Sequence, residues 1–120
     1  MTVIWIALAG SVGAIARFVV DGSIRARWPS EFPWATMLIN VSGSLLLGVV
    51  TGLVLFQGSP GALRLIVGTG FCGGYTTFST ASFETVRLIQ RRAPWPAIGN
   101  AVGTVALTVA TGGLGLAMVL

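Results

Sequence analysis

The polar side chains inside the apolar segments of this 120-residue chain are nearly all hydroxyls and amides. Such groups donate hydrogen bonds to a small anion without holding it by a fixed opposite charge, which is what a conducting path needs. Thr104 and Thr108 are four residues apart and share a helix face. A helical threonine can also donate to the carbonyl four residues before it, so a packing role is the alternative for each. The neutral polar residues are Asn40, Thr76, Thr77, Ser79, Thr80, Ser82, Asn100, Thr104, Thr108 and Thr111.

Arg17 and Phe78 could add to such a path. Arg17 is a basic residue well inside the first apolar segment, and a charge at that depth usually faces the protein interior or a wet cavity. There its potential would attract anions, whereas the alternative is an arginine that extends to the membrane surface. The edge of the Phe78 ring carries partial positive charge and can face an anion, although the ring could also simply pack.

The residues needed for enzyme chemistry are scarce. The sequence has no histidine, all seven of its basic residues are arginine, and its acids are Asp21, Glu31 and Glu84. A phosphate-binding loop needs a lysine, and imidazole or metal catalysis needs ligands that this chain lacks. The arginines form no basic patch with interleaved aromatics, so we expect no nucleic-acid partner. We predict that the protein is not an enzyme and that its one cysteine, Cys72, is a packing residue.

The composition is that of a membrane protein, with 54% hydrophobic and 8% charged residues. A membrane-spanning helix needs about 20 mostly apolar residues. Four segments qualify, at about residues 2–25, 32–56, 62–88 and 94–118, and short connectors with proline or glycine separate them. The sequence therefore predicts an all-α integral membrane protein of four transmembrane helices, forming a single domain over residues 1–120.

The third segment contains "GFCGGYTTFST", residues 70 to 80, which predicts a helix broken within the membrane. Irregular backbone survives there only where protein buries it or where it lines a wet cavity or ion path. The carbonyls of an unwound turn can coordinate a cation, and the N–H groups of the following half-helix can face an anion. Near a two-fold axis, two carbonyls from each subunit would form a cage of four oxygens.

Small residues at a spacing of four predict close helix packing, as in the stripe of Ser44, Gly48 and Gly52 and the pairs Gly10–Ala14 and Gly99–Gly103. Four helices leave little interior for a pathway once they have packed, so we expect a dimer. Five arginines lie on one side of the predicted spans and one, Arg64, on the other. By the positive-inside rule the five-arginine side is cytoplasmic and both termini are outside.

Three motifs, "GSVGAIARF" (10–18), "WATMLINVSGSLLLG" (34–48) and "GFCGGYTTFST" (70–80), resemble the Fluc (CrcB) fluoride channel family over essentially the whole chain. The resemblance implies a dual-topology dimer of four-helix subunits with two antiparallel pores in the bacterial inner membrane. It also implies passive export of fluoride from the cytoplasm, and a structural sodium ion at the dimer centre.

The resemblance further implies roles for particular residues. Gly73 and Thr76 would offer backbone carbonyls to the sodium ion. Asn40 would orient the aromatic and polar groups of the pore, Phe78 would present its ring edge to fluoride, and Arg17 would lie in the vestibule. The implied fluoride pore is Asn40, Phe78, Ser79, Thr80, Thr104, Thr108, Arg17 and Glu84, in which the serine and the threonines form a hydroxyl track and Glu84 lies farther along the third span.

Two features depart from the family pattern. Ala81 stands where the family commonly has a second pore phenylalanine, and Phe83 lies about 200° around the helix from it. The arginine bias of five to one also differs from the near balance of a chain that inserts in both orientations. We therefore weigh a homodimer against a heterodimer with a second, oppositely oriented family member, a kind of pairing that occurs in the family.

Two other functions are alternatives. A small proton-coupled multidrug exporter also has four helices, but it needs a carboxylate within the membrane, and the first span offers only Asp21 near its end. A subunit that only assembles with others would account for the glycine stripes. It would leave Arg17, Asn40 and the broken helix unexplained.

Overall fold

The computed structural model describes residues 1–29 and 32–120, and in those residues every regular element is a helix. Three helices are long and apolar enough to cross a membrane: α1 (Thr2–Arg27), α2 (Trp34–Phe56) and the C-terminal helix α5 (Pro94–Ala117). The protein is therefore an all-α, multi-pass membrane protein.

The remaining predicted span is occupied by two shorter helices, α3 and α4. Helix α3 begins with one α-helical turn (Gly61–Leu63), continues with π-helical geometry (Arg64–Cys72) and ends in another turn (Gly73–Tyr75). Thr76 and Thr77 are extended, with ψ of 162° and 124°, and α4 then runs over Phe78–Gln90. The sequence carried no signal for the π-helical stretch, in which each turn holds more residues than an α-helical turn.

Proline and glycine set several helix ends. Pro33 and Pro60 directly precede α2 and α3, and Pro94 opens α5, where a missing N–H costs no helical hydrogen bond. Helix α2 ends at Phe56; Gly58, two residues on, has a φ of +69°, and the Ser59 N–H donates to the Leu53 carbonyl over 3.1 Å. This is the left-handed glycine end that closes many helices.

Helix α2 lies at the centre of the bundle and contributes more buried residues than any other helix of the described chain. Glycines bring its backbone against that of α5, because a Cβ at Gly48 would meet the Gly112 carbonyl oxygen. Helices α1 and α3 approach in the same way, since a Cβ at Gly13 would meet the Phe71 carbonyl oxygen and one at Gly74 that of Gly10. These contacts give the stripes through Gly48 and Gly10 the predicted packing role.

The pair Gly99 and Gly103 behaves differently from those stripes. A Cβ at Gly99 would lie 3.8 Å from the Phe32 ring, and one at Gly103 would lie 3.3 Å from the end of the Met37 side chain. Both neighbours are side chains rather than backbone, so this pair does not bring two helix backbones together.

Candidate functional site

Asn40 holds the chain at the interruption between α3 and α4. Its side chain is only 7% exposed. The Asn40 Nδ2 donates to the Thr77 carbonyl over 2.9 Å, and the Thr77 N–H donates to Asn40 Oδ1 over 2.8 Å. One amide on α2 thus pairs both backbone groups of a residue that has left the helical ladder. This is the geometry that an orienting role requires.

The interruption also removes the usual donors from two carbonyls. In a continuous helix the Thr77 N–H would donate to the Gly73 carbonyl and the Thr80 N–H to that of Thr76. Here the Thr77 N–H donates to Asn40, and the Thr80 N–H donates to the Thr77 hydroxyl over 3.2 Å, which caps α4. The carbonyls of Gly73 and Thr76 are therefore released from the helical ladder.

A first cavity of about 270 Å³ opens beside this interruption, between α2, α4 and α5. It brings together four of the predicted pore residues, Asn40, Phe78, Thr104 and Thr108. Ser44 and Thr76 contribute polar atoms to the same wall, and Ala81 lies at its edge. Neutral polar groups and one aromatic ring thus share this space with apolar side chains.

The two threonines predicted to share a helix face differ in their hydrogen bonds. The Thr108 hydroxyl donates to the Thr104 carbonyl over 2.7 Å, so it is engaged with its own helix. The Thr104 hydroxyl is buried and has no hydrogen-bond partner among the described residues. Both residues line the first cavity, and of their two hydroxyls that of Thr104 is the one not committed to a carbonyl within the described chain.

The first turn of α4 faces away from its own chain. The Phe78 side chain is 87% exposed although it lines the first cavity, and Ser79 is exposed as well. Ala81, one turn along, places no second ring beside Phe78. A path along this surface would therefore be open on one side unless another molecule covered it.

A second cavity, of about 360 Å³, lies between α1, α2 and α4. Arg17 and Asp21 line it from α1, Thr36 from α2, and Thr80 from α4. Over residues 1–29 and 32–120, Arg17 forms no ion pair. Thr77 lines both cavities, so the interruption lies between them. The predicted residues Arg17 and Thr80 line the second cavity, whereas Phe78 lines the first.

Glu84 lines neither cavity itself but belongs to a cluster of charges next to the second one. Its Oε2 accepts from Arg25 Nη2 over 3.1 Å, and its Oε1 accepts from the Thr36 hydroxyl. Arg25 Nε in turn donates to Asp21 Oδ1 over 2.8 Å. The Glu84 side chain is 14% exposed, and both of its oxygens are held by protein donors.

Sequence reasoning missed two of the groups that hold α4 in place. Asp21 and Arg25 stand four residues apart, a spacing that could have suggested their ion pair, but nothing local pointed to Glu84. Asn100, 1% exposed on α5, donates from Nδ2 to the Thr85 hydroxyl of α4 over 2.7 Å. It had been noted only as one of several neutral polar residues.

No side-chain metal cluster occurs in the described parts of the chain, since no group of three or more histidine, cysteine or acidic residues converges there. The released carbonyls of Gly73 and Thr76 are oxygen ligands of the kind that hard cations take. A Cβ placed at Gly73 would meet no atom within 4 Å, so its surroundings are open within this chain.

Comparison with known proteins decides the family. The model of a family described as CrcB-like protein, Camphor Resistance (CrcB), matches residues 4–116. This chain belongs to the CrcB family. The match includes Asn40, the interruption and both cavities.

Curated CrcB relatives are similar over most of their length. A protein of Leifsonia xyli named fluoride-specific ion channel FluC 1 is 52% identical over 116 residues, which are 97% of this chain and 85% of the relative. FluC 2 of Cutibacterium acnes is 52% identical over 72% of each chain, and FluC of Syntrophotalea carbinolica is 39% identical over 97% of this chain and 95% of its own. These relatives are named as channels and not as enzymes.

Proposed function

We propose that this CrcB protein is a fluoride-specific ion channel that lets fluoride leave the cytoplasm down its gradient. The observation that carries the proposal is that Thr104, whose buried hydroxyl has no partner in the described chain, lines the first cavity together with the Phe78 ring. A neutral donor and a ring edge can replace part of the hydration shell of a small anion and still release it. The names of the relatives supply the identity of the ion.

The conducting unit that we propose is an antiparallel dimer in the bacterial inner membrane, with the third span broken at mid-membrane. The exposure of Phe78 supports it, because one chain leaves this side of the path uncovered. A second chain in the opposite orientation would cover Phe78 and Ser79 and so enclose two antiparallel paths. By the positive-inside rule, this chain's five-arginine end would be cytoplasmic.

A structural sodium ion at the dimer centre is part of the same proposal. Gly73 and Thr76 would each offer a carbonyl, and two chains would together supply four oxygens. The residues fit the ion because their carbonyls are released from the helical ladder and Gly73 is open to a partner. The ion would hold the two chains together at their interruptions and would take no part in conduction.

The partner in this dimer is either a second copy or another family member. Ala81 in place of a second aromatic ring, together with the arginine bias, supports a partner of different sequence. The numbers 1 and 2 in the names of some relatives give weak support to such pairs. Reconstitution of this chain alone decides the question, because rapid fluoride efflux without any other protein contradicts an obligate partner.

The proposal is tested with a fluoride electrode on vesicles that contain the protein, with chloride efflux as the control. We expect fluoride efflux far above that of protein-free vesicles, with little chloride efflux. The substitution Phe78→Ile removes the ring edge from the first cavity and should abolish fluoride efflux. Equal rates of fluoride and chloride efflux would refute the proposed channel. So would the absence of fluoride efflux both from vesicles with this chain alone and from vesicles that also contain a second family member.

The multidrug exporter is not favoured by the structure or by the relatives. Its mechanism needs a carboxylate that is free to exchange protons against substrate within the membrane. The Asp21 carboxylate, near the end of α1, instead pairs with Arg25.

A further inference from the structure

Three helices meet at a polar cluster of Asp21, Arg25, Thr36 and Glu84, here called the Arg25 cluster. Arg25 is its centre, because Nε donates to Asp21 on α1 and Nη2 donates to Glu84 on α4. Thr36, which is buried on α2, donates to the second oxygen of Glu84. The cluster thus joins residues that lie 59 positions apart in the chain.

The Arg25 cluster forms part of the wall of the second cavity. Asp21 and Thr36 belong to both, and Arg17 lies one helical turn from Asp21 on the same cavity wall. Arg17 has no ion-pair partner in the described chain, whereas the carboxylates of Asp21 and Glu84 both do. The charged side chain at the second cavity that lacks an ion-pair partner is therefore the positive one, Arg17, although two acids lie close to this cavity.

We propose that Arg25 is a positioning residue that keeps the carboxylates of Asp21 and Glu84 bound to protein donors. An anion entering the second cavity then meets the charge of Arg17 without free carboxylates beside it. This inference rests on the proposed function, because it concerns the approach of fluoride to the interruption.

The charge balance explains why Arg25 should matter more than an ordinary surface ion pair. With Arg25 present, the cluster has one positive and two negative groups, a net charge of minus one. Without Arg25, the net charge becomes minus two, and Glu84 keeps only its bond from Thr36. The freed carboxylates could then turn toward Arg17 and neutralise the charge that attracts the anion.

The main test compares Arg25→Gln with Arg27→Gln, which removes the same charge from the same helix end but lies outside the cluster. We expect Arg25→Gln to lower the rate of fluoride efflux about tenfold or more, the effect expected when a freed carboxylate neutralises the unit charge of Arg17 about 10 Å from the anion at an effective dielectric constant of about 20. Arg27→Gln should conduct like the wild type. Equal rates for the two variants would overturn the proposal.

A charge-restoring second substitution separates electrostatics from folding. Asp21→Asn combined with Arg25→Gln returns the cluster to a net charge of minus one and should recover most of the lost efflux. A purely structural Arg25 predicts the opposite, since the double variant loses both partners of the ion pair. Failure of the double variant to recover, while it elutes as the same oligomer as the wild type, would refute the positioning role.

A further variant covers the case in which Arg25→Gln does not fold. Asp21→Asn alone leaves Arg25 paired with Glu84 and removes a negative group from the cavity wall, so its efflux should exceed that of the wild type, and an unchanged rate counts against the inference. A lower rate would contradict the inference. Absence of fluoride efflux from vesicles with the wild-type protein would refute the proposed function itself. The Arg25 inference is tested by comparing variants with a wild type that conducts fluoride.

Discussion

The substitution Asn40→Ala should damage both stability and conduction, because the Asn40 side chain replaces the helical hydrogen bonds of Thr77. It removes two hydrogen bonds, of 2.9 and 2.8 Å, and leaves the Thr77 carbonyl and N–H without partners. An orphaned buried polar group costs about 1–3 kcal/mol, so the pair should cost roughly 2–6 kcal/mol in the free energy of unfolding.

The substitution Asn40→Asp tests whether the Nδ2 donor of Asn40 is required, because it keeps the size of the side chain and replaces that donor by an oxygen. A carboxylate keeps an acceptor for the Thr77 N–H but puts an oxygen where Nδ2 now donates to the Thr77 carbonyl. Two acceptors would then face each other across 2.9 Å. We therefore expect Asn40→Asp to be as damaging as Asn40→Ala, although it is nearly the same size as asparagine.

The assays are chemical unfolding in detergent, followed by fluoride efflux from vesicles. Thr51→Val is a matched control, because it removes a hydroxyl from the same helix about 16 Å along its axis. The control should stay within about 0.5 kcal/mol of the wild type and conduct normally. The reasoning fails if Asn40→Ala is as stable and as conductive as this control, since the interruption would then not depend on the asparagine.

The remaining predictions concern the first cavity and the helix contacts. Thr104→Val removes the hydroxyl that has no partner, so the rate of fluoride efflux should fall at least about tenfold with no loss of stability. Thr108→Val removes a hydroxyl that bonds its own helix and should change the rate of efflux little. Equal rates of efflux from the two variants would contradict this distinction. Gly115→Ala should cost about 1–3 kcal/mol in unfolding free energy because the added methyl meets the α2 backbone, and Gly113→Ala, in open space, should not. Ala81→Phe should raise the efflux of this chain alone, and an unchanged rate would mean that a missing ring does not limit it.

Much of the fold follows from short-range patterns. The apolar segments are long enough to span a membrane, and proline or glycine stands where several helices begin or end. Small residues every four positions predicted close packing along the stripe through Gly48, but not that its partner is α5 at Gly112. The π-helical turns of α3 could not be predicted in this way, because they depend on how α3 lies against α1 and α2.

The candidate site was predictable as a set of residue types but not as an arrangement. Asn40, Phe78 and Thr104 could be selected because amides, ring edges and hydroxyls suit a small anion. That Thr104 is free while Thr108 bonds its own helix could not be read from two threonines at the same spacing. The difference depends on side-chain rotation and on the neighbouring helices.

By itself, the sequence determined that this protein is an all-α membrane protein, and it predicted a third span interrupted within residues 70–80, because these properties depend on neighbouring residues. Only the tertiary structure decided that Asn40 holds Thr77 from 37 positions away and that Arg25 holds Glu84 from 59. Partners so distant meet only when helices pack, and the packing is set by contacts along all the helices together. Among the described residues, the tertiary arrangement therefore leaves Arg17 without an ion pair and the Thr104 hydroxyl without a hydrogen bond, and it engages Glu84 and Thr108 with the protein.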